Sequence, residues 1–188
     1  AREERLHLYF QEADLNHVEL EPNSWNLIYA NAAIHHVINL EHLFGQVVKG
    51  LRPGGVFHIV EVVGRNRSLL WGDSERFVNG LLGLLPDDLT QGARVHVSEG
   101  GGMEGVRQEE IDGLLQEYFT PVFELRHGAF ARFLCTIDPR LAQRLDPTDP
   151  RCRAWLDFLF DADDAAVRRG LLKPLELWAI YAARRATI

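Results

Sequence analysis

The sequence has few cysteines and no long apolar run, and both shortages exclude classes of protein. Its 2 cysteines, Cys135 and Cys152, lack the CxxC or Cys/His spacing of a zinc knuckle and are too few for a disulfide framework. We expect both to be reduced thiols. No stretch reaches the roughly 18 apolar residues that a membrane-spanning helix needs, and no apolar leader opens the chain. A cytoplasmic location without a membrane partner is therefore expected.

Lysine is scarce as well. The 20 basic residues are nearly all Arg, a bias compatible with a GC-rich bacterial source, and the 27 acidic residues give a net charge of −7. No basic cluster is interleaved with aromatic residues, which argues against nucleic acid and favours a small-molecule substrate. With 46% hydrophobic residues, the 188-residue chain can form a single domain over residues 1–188. It opens without Met, so we expect residue 1 not to be the native start.

The first third of the chain predicts a strand, a helix and a second strand. An apolar run at residues 25–31 is typical of a strand covered on both faces. Asn39 is a candidate helix cap, and the apolar residues after it repeat at i, i+3, i+4 and i+7. This helix stops at "GLRPGG" (50–55), and residues 56–63 form a second buried strand. Together they make a βαβ unit, preceded by a short extended segment over residues 6–14.

The rest of the chain alternates helices with strands. We predict a helix capped by Ser74, a helix over 107–119, a strand over 121–127, a helix over 152–170 and a closing strand over 175–185. The glycine-rich stretch 98–105 is interpreted as a flexible connection, because no helix-opening Lys-Ser/Thr follows it as a phosphate loop requires. The fold class is α/β.

The order of these elements, and the residues at their ends, resembles the second half of a class I S-adenosylmethionine-dependent methyltransferase. The resemblance is carried by "EADLNHVELEPNSWNLIYANAAIHHVINLEHLFGQVVKGLRPGGVFHIVEVVG" (12–64). In that family an acidic loop ending in D-L precedes a strand, a small-residue turn, HH, a helix beginning NLE, L-R/K-P-G-G and a strand ending near an acidic residue. The closing "RRGLLKPLELWAIYAARR" is similar to the family's last helix and hairpin strand. The resemblance implies a Rossmann-like methyltransferase fold.

The resemblance also implies a cofactor, S-adenosylmethionine, and the residues that would bind it. Asp14 and Leu15 would lie at the adenine, with the Asp14 carboxylate accepting from its exocyclic amine; the alternative is that Asp14 is an ordinary turn residue. Asn31, Ala32 and Ala33 would face the methionine part, where small residues let the cofactor pass close to the backbone. Elementary reasoning agrees, because ligands of open α/β sheets bind outside the carboxyl ends of the strands.

The adjacent histidines His35 and His36 have several interpretations. A metal site needs three or four convergent ligands, and neighbours on a turn do not easily point at one ion, so we expect no metal. A histidine after this strand is a candidate base for an acceptor that must lose a proton, and His36 is the better candidate for this catalytic role. The alternative is that both histidines hydrogen-bond near the helix start and shape the pocket wall. Glu61 has a similar alternative, as a charge solvated at the edge of the sheet.

The family's first signature is missing from this chain. The sequence contains neither the glycine-rich turn D/E-x-G-x-G-x-G nor the acidic residue that binds the ribose hydroxyls in that family. In the family's strand order 3-2-1-4-5-7-6, this corresponds to a truncated fold in which strands 1 and 2 are missing. Residues 26–30, which correspond to strand 4, would then form an exposed edge.

An exposed apolar edge has consequences for partners and for activity. It needs a cover, and the candidates are the N-terminal "LHLYF" segment, a second copy of the chain in a homodimer, or a separate N-terminal fragment. Cofactor affinity should be weak or absent in this chain alone, so we expect an inactive part of an enzyme that methylates a small molecule. The alternative is a degenerate, non-catalytic methyltransferase-like module that binds a partner through this edge. Whether the chain is itself an enzyme stays open from the sequence.

Overall fold

Strands and helices alternate along the chain. The computed structural model describes residues 9–99, 101–134 and 143–184. Its elements are β1 (Trp25–Asn31), α1 (Leu40–Gly50), β2 (Leu51–Val62), α2 (Gly72–Leu82), α3 (Asp87–Thr90), α4 (Ile111–Tyr118), β3 (Phe119–His127), α5 (Ala131–Leu134), α6 (Pro150–Arg168) and β4 (Glu176–Ala183). Short 3₁₀ turns cover Ile34–His36, Asn66–Ser68 and Gln108–Glu110.

The strands form one mixed sheet in the order β1-β2-β4-β3. β1 and β2 run parallel, with Tyr29 opposite His58, and β4 runs antiparallel to both β2 and β3. The α/β, Rossmann-like class is therefore confirmed, and the order agrees with the 4-5-7-6 half of the sheet implied by the resemblance. Among the described strands, β1 lies at one edge, as the sequence predicts.

The helix between β1 and β2 agrees with its sequence pattern. α1 begins directly after Asn39 and buries Leu40, Phe44 and Val47. Asn39 does not cap it with its side chain. Instead its Nδ2 donates to the Asn16 carbonyl oxygen (3.2 Å), and its backbone N–H donates to Asn16 Oδ1 (2.9 Å). The acidic loop is thereby joined to the start of α1.

β2 begins earlier than predicted, at Leu51 rather than at residue 56. The glycines of "RPGG" lie inside the strand. Gly54 takes a φ of +78°, and a Cβ on Gly55 would lie 2.8 Å from the Trp25 carbonyl oxygen. Because the two strands approach this closely where their register shifts between Trp25 and Leu27, a side chain at position 55 would force them apart.

Two helix starts differ from the sequence predictions. α2 begins at Gly72, so Ser74 lies fully buried inside the helix and is not its cap. α6 begins at Pro150 rather than at residue 152. Its cap is Asp149, whose Oδ1 accepts from the Arg151 N–H (2.8 Å). The helix predicted over 107–119 is divided into the 3₁₀ turn Gln108–Glu110 and α4.

Two further predictions lie partly outside the described residues. Of the extended segment at 6–14, residues 9–14 are described and form no strand. Cys135 lies outside the described residues. Cys152 is buried and forms no disulfide among the described residues, and its burial raises the pKa of the thiol.

One face of the sheet packs against α1 and α4. Phe44, Phe57, Phe119 and Tyr181 form its aromatic centre, with ring centroids 5.2–6.4 Å apart. Each of these fully buried rings contributes about 2–3 kcal/mol through the apolar surface that it removes from water. A second apolar cluster, centred on Phe130, packs between α2, α5 and α6.

The opposite face of the sheet carries exposed aromatic and aliphatic side chains. Tyr29, His58, Trp178 and Phe123 form a row across the strands, with centroid distances of 4.9, 6.3 and 5.6 Å. We define the open face as Leu27, Tyr29, His58, Phe123, Leu125 and Trp178. The apolar members are 43–53% exposed, so the prediction that β1 is covered on both faces is wrong within the described chain. None of the described helices is long and apolar enough to cross a membrane.

Candidate functional site

The candidate site lies at the carboxyl ends of β1 and β2. β1 ends at Asn31, and the next residue, Ala32, adopts a left-handed φ of +46° while its N–H donates to the Val60 carbonyl oxygen (2.8 Å). A left-handed conformation is unfavourable for a residue with a Cβ and is found most often at functional turns. The turn leads directly into Ile34–His36, so both histidines start from a strained and fixed piece of backbone.

Glu61 fastens this turn to the end of β2. Its Oε2 accepts from the backbone N–H groups of Ala33 (3.0 Å) and Ile34 (2.7 Å), and its Oε1 accepts from the Val62 N–H (2.8 Å). The side chain is buried, with a residue exposure of 3%. The interpretation of Glu61 as a solvated charge at the sheet edge is therefore wrong, because its carboxylate is buried and accepts hydrogen bonds from the protein. Its position within the apolar run "VEVV" was the available sequence signal for this burial.

His35 completes the carboxylate's set of partners. Its Nδ1 hydrogen-bonds Glu61 Oε1 in the protein interior. Burial opposes the charged form of His35, but the hydrogen bond and charge of Glu61, helped by the charge of Glu104, outweigh it and raise the pKa of the imidazole above its ordinary value. Burial likewise opposes ionised Glu61, yet His35 and the backbone donors lower the pKa of this carboxyl. Each partner thus favours the ionised form of the other.

Glu104, which is distant in sequence, lies close to both histidines. Its Oε1 lies 3.8 Å from His35 Nε2 and its Oε2 lies 3.6 Å from His36 Nδ1. The two imidazole rings are 4.1 Å apart between centroids, and ligand atoms of all three residues lie within 4.8 Å of one another. Ser68 Oγ donates to Glu104 Oε1 (2.6 Å) and fixes the carboxylate. Adjacent histidines therefore do converge at this turn, contrary to the expectation from their adjacency.

The described part of the glycine-rich stretch is held in place and is not a free connection. Arg107 Nη1 donates to the Ile38 carbonyl oxygen (2.7 Å), and its guanidinium pairs with Glu41 (2.7 Å) and Glu110 (2.5 Å). The hydrogen bond from Arg107 lowers the pKa of Glu41 to about 2. Gly105 takes a φ of +57° where a Cβ would meet Gln108 Oε1 at 2.6 Å. These contacts position residues 101–107 against the turn that carries the histidines.

Three of the predicted cofactor residues line one groove. Leu15, Asn31 and Ala33 surround a cavity of about 220 Å³, whose other walls are largely aliphatic and come from the acidic loop, β1 and α1. Asn31 also lines a second cavity together with Ala32. His36 lines neither of these two cavities; its side chain is 47% exposed beside Glu104.

Asp14 is not among the residues that line the groove. Its Oδ1 accepts from the backbone N–H of Asn16 (2.9 Å) and from Asn16 Nδ2 (2.9 Å), while its Oδ2 bonds His17 Nδ1 (2.8 Å). These hydrogen bonds, led by the backbone N–H of Asn16, lower the pKa of Asp14 to about 2. The structure thus places Asp14 at a local turn whose own groups occupy both carboxylate oxygens.

Besides Glu61, the second cavity contains three ionisable residues that the sequence analysis did not single out, namely His127, Arg132 and Glu176. It has a volume of about 200 Å³ and lies at the ends of the strands, lined by Ala32, Glu61, His127, Arg132 and Glu176. His127 Nδ1 lies 3.2 Å from Glu176 Oε2, and Arg132 lies 3.5 Å from Glu176 Oε1. His127, Arg132 and Glu176 form no motif in the sequence. The sheet brings them together in space.

Comparison with known proteins identifies the first third of the chain. Residues 1–59 match the family described as "Methyltransferase domain". Over this stretch the chain is similar to the methyltransferase family that its sequence resembles. The sterol 24-C-methyltransferase of Schizosaccharomyces pombe is 37% identical over 54 residues, which are 29% of this chain and 14% of that protein. That of Candida albicans is 36% identical over 56 residues, which are 30% of this chain and 15% of that protein. The chain thus spans a small part of these curated relatives.

Solved structures show a distant likeness. The [4+2]-cyclase SpnF has a TM-score of 0.44 at 13% identity, covering 92% of this chain and 54% of that one. An S-adenosylmethionine-dependent methyltransferase from Mesorhizobium loti has a TM-score of 0.42 at 18% identity, covering 93% and 68%. Likeness at this level identifies no activity.

The methyltransferase match covers one part of the candidate site and not the other. It includes the predicted cofactor residues and both histidines, and it ends at residue 59, before Glu61, Glu104 and Arg107. S-adenosylmethionine is the cofactor of the family. The polar contacts that fix the histidines are therefore supplied by residues beyond the matched stretch.

Proposed function

We propose that this chain forms part of an S-adenosylmethionine-dependent methyltransferase that acts on a small molecule, and that this part alone is inactive. The observation that carries the proposal is the turn after β1, where Glu61 fastens Ala33 and Ile34 beside His35 at the carboxyl ends of two parallel strands. This is the place where open α/β sheets bind their ligands. We also propose that the protein is located in the cytoplasm, as its composition suggests.

The residues present fit one part of the cofactor. Leu15, Asn31 and Ala33 offer an apolar wall with a backbone that a ligand can approach closely. The cavity of about 220 Å³ lies below the roughly 300–1,000 Å³ of typical small-molecule sites. Asp14 would have to exchange a bond within its turn for one to adenine. This chain alone should therefore bind S-adenosylmethionine weakly, because the cavity is small and the sequence lacks the family's glycine-rich turn D/E-x-G-x-G-x-G.

His36 is the candidate base of the reaction. S-adenosylmethionine supplies a methyl group on a sulfonium when it is bound. An acceptor hydroxyl or amine that loses its proton would deliver it to His36 Nε2, which leaves Nδ1–H directed at Glu104, 3.6 Å away. The buried pair of His35 with Glu61 would hold the backbone in position and take no part in the proton transfer.

A partner that covers β1 belongs to this proposal. β1 is an edge strand among the described residues, and its Leu27 and Tyr29 are about half exposed. An added strand would satisfy the free backbone groups of this edge and extend the wall of the cofactor groove. The N-terminal half of a methyltransferase domain fits this description best, and a second copy of the chain is the alternative occupant.

Calorimetric titration with S-adenosylhomocysteine tests the proposal. The 188-residue chain, shown to be folded by circular dichroism, is expected to release no detectable heat, and the full-length gene product is expected to bind in the micromolar range. Micromolar binding by the chain alone would overturn its dependence on a further segment. Absence of binding by both would overturn the enzyme assignment.

A non-catalytic interaction module is the second candidate function. It is supported by the open face, where Tyr29, His58, Trp178 and Phe123 present a continuous aromatic row. Contiguous exposed apolar surface is typical of a protein interaction site. A folded full-length protein that binds no S-adenosylhomocysteine and retains a partner through this face would favour the module.

A further inference from the structure

The cluster of His35, His36 and Glu104 has the donor atoms of a metal site. It offers two imidazole nitrogens and one carboxylate, and all three ligand atoms lie within 4.8 Å of one another. Two histidines and one carboxylate with an open fourth position form a donor set of protein-bound zinc. We propose that these three residues bind a divalent transition-metal ion, with Zn²⁺ as the best-matched metal.

The distances support convergence on one ion. For metal–ligand bonds of about 2.1 Å in a tetrahedron, the ligand atoms are about 3.4 Å apart. His35 Nε2 lies 3.8 Å from Glu104 Oε1, and His36 Nδ1 lies 3.6 Å from Glu104 Oε2. These two distances lie within half an ångström of that value, and the widest separation that the cluster allows, 4.8 Å between ligand atoms, would contract by about 1.4 Å through side-chain rotation.

The surrounding residues orient two of the three ligands. Glu61 bonds His35 Nδ1, which directs Nε2 of this buried ring towards Glu104. A histidine held by a carboxylate through its other nitrogen is the usual arrangement around protein-bound zinc, because the carboxylate fixes the ring and increases its basicity. Ser68 Oγ in turn holds Glu104 (2.6 Å). Such outer partners distinguish a built site from a chance surface cluster.

The charge balance also favours a cation. Glu61 and Glu104 face the same imidazole from opposite nitrogens, so two negative charges flank His35. His36 and Glu104 are partly exposed, at 47% and 37%, which leaves a path from solvent and room for a water or a ligand atom in the fourth position. Nitrogen and oxygen donors suit Zn²⁺ better than the oxygen-preferring Mg²⁺ or Ca²⁺.

A bound metal would exclude the proposed proton transfer. A neutral imidazole has one free lone pair, so metal on His36 Nδ1 leaves the proton on Nε2 and removes the base. We therefore expect Zn²⁺ to inhibit the assembled enzyme. The metal site itself does not depend on methyl transfer, because metal binding is measured without cofactor or acceptor.

Titration with ZnCl₂ against a chromophoric chelator tests the site in the intact chain. One equivalent is expected to bind, and Co²⁺ is expected to give the intense visible absorption of a four-coordinate ion. Loss of an outer partner typically weakens metal affinity by about 10–100-fold, and we expect Ser68→Ala to weaken zinc affinity by an amount in this range. Glu104→Gln and His36→Asn each remove a ligand, so each should weaken zinc affinity by more than about 100-fold. Both ligand positions are partly exposed, so the variants should fold, which circular dichroism would check.

Glu75→Gln is the matched control. Glu75 pairs with His96 (3.1 Å) elsewhere on the surface, and no third ligand joins this pair among the described residues. Its substitution should leave zinc affinity unchanged. The proposal is overturned if the wild-type chain takes up no metal, or if Glu104→Gln binds as the wild type does. A loss in Glu75→Gln equal to that in Glu104→Gln would also overturn it.

Discussion

At the scale of single residues, Glu61 does more than any other side chain to define the site. It serves three backbone N–H groups and one imidazole, which come from the turn after β1 and from β2 itself. Removal of one partner from a buried ion pair is costly because the remaining charge has lost its compensation. The short sequence interval Ala33–His35 therefore depends on a residue far along the chain.

Glu61→Gln is expected to lower the free energy of unfolding by about 3 kcal/mol, since the amide leaves His35 and one or more backbone donors without an anionic acceptor. Urea unfolding followed by circular dichroism measures this loss. Asp14→Asn, in an exposed turn, is the control and should change stability far less than Glu61→Gln does, because solvent screens the charges of an exposed pair. A Glu61 variant as stable as this control would show that the buried pair contributes nothing to stability.

His36→Asn is expected to reduce kcat of the assembled, metal-free methyltransferase by about 100-fold or more, because a general base typically contributes this much. Affinity for S-adenosylhomocysteine should stay within a factor of about 3 of the wild type, since His36 does not line the cofactor groove. Steady-state kinetics and calorimetry separate the two effects. An unchanged kcat would favour the alternative in which His36 only shapes the pocket wall.

At the scale of the elements, the sequence predicted the helices and strands whose positions follow from apolar periodicity. It did not predict the features that depend on contacts between residues far apart in the chain. α1, β1 and β4 lie where their apolar spacing places them, within one or two residues. The early start of β2 depends on the close approach of Gly55 to Trp25, and Glu104 meets the histidines only after the chain has folded. No local pattern contains the partner of such a contact. The sequence therefore identified His35 and His36 as candidate site residues but not Glu104, the third member of the cluster.

The open face predicts association of the isolated chain. Leu27→Lys together with Tyr29→Lys should reduce self-association and the binding of the dye ANS, because both residues are about half exposed on the edge strand β1. Light scattering across a concentration series measures the first effect and dye fluorescence the second. Arg52→Lys, which keeps its charge near the other end of the β1–β2 pair, is the control. Equal association of the wild type and the double variant would exclude this face as the contact.

At the scale of the whole molecule, the buried pair links stability to pH. The folded-state pKa of His35 lies above the ordinary value of 6.5, so its protonation stabilises the fold below that pH, and this stabilisation is lost as the pH rises through the raised value. The folded-state pKa of Glu61 lies below the ordinary value of 4.5, so its contribution is present above that pH and is lost as the pH falls through the lowered value. Both contributions overlap between about pH 4.5 and pH 6.5.

The difference in unfolding free energy between the wild type and Glu61→Gln should therefore be largest in this window and smaller at pH 8.5 or pH 3. Other charges near His35, chiefly Glu104 and Arg132, are present in both proteins and cancel in the difference. Urea titrations of the two proteins at each pH measure it. A difference that stays constant with pH would contradict the ionised pair.

The position of β4 has a consequence for how the protein is made. It is the last of the described strands along the chain, yet it lies between β2 and β3 and pairs with both. Since the ribosome releases the N-terminus first, β1 and β2 emerge together, whereas β3 has no neighbouring strand among the described residues until Glu176–Ala183 has been synthesised. A stop codon ahead of Glu176 would thus divide this sheet into two unconnected parts, so a nascent chain can complete the sheet only after β4 has been synthesised.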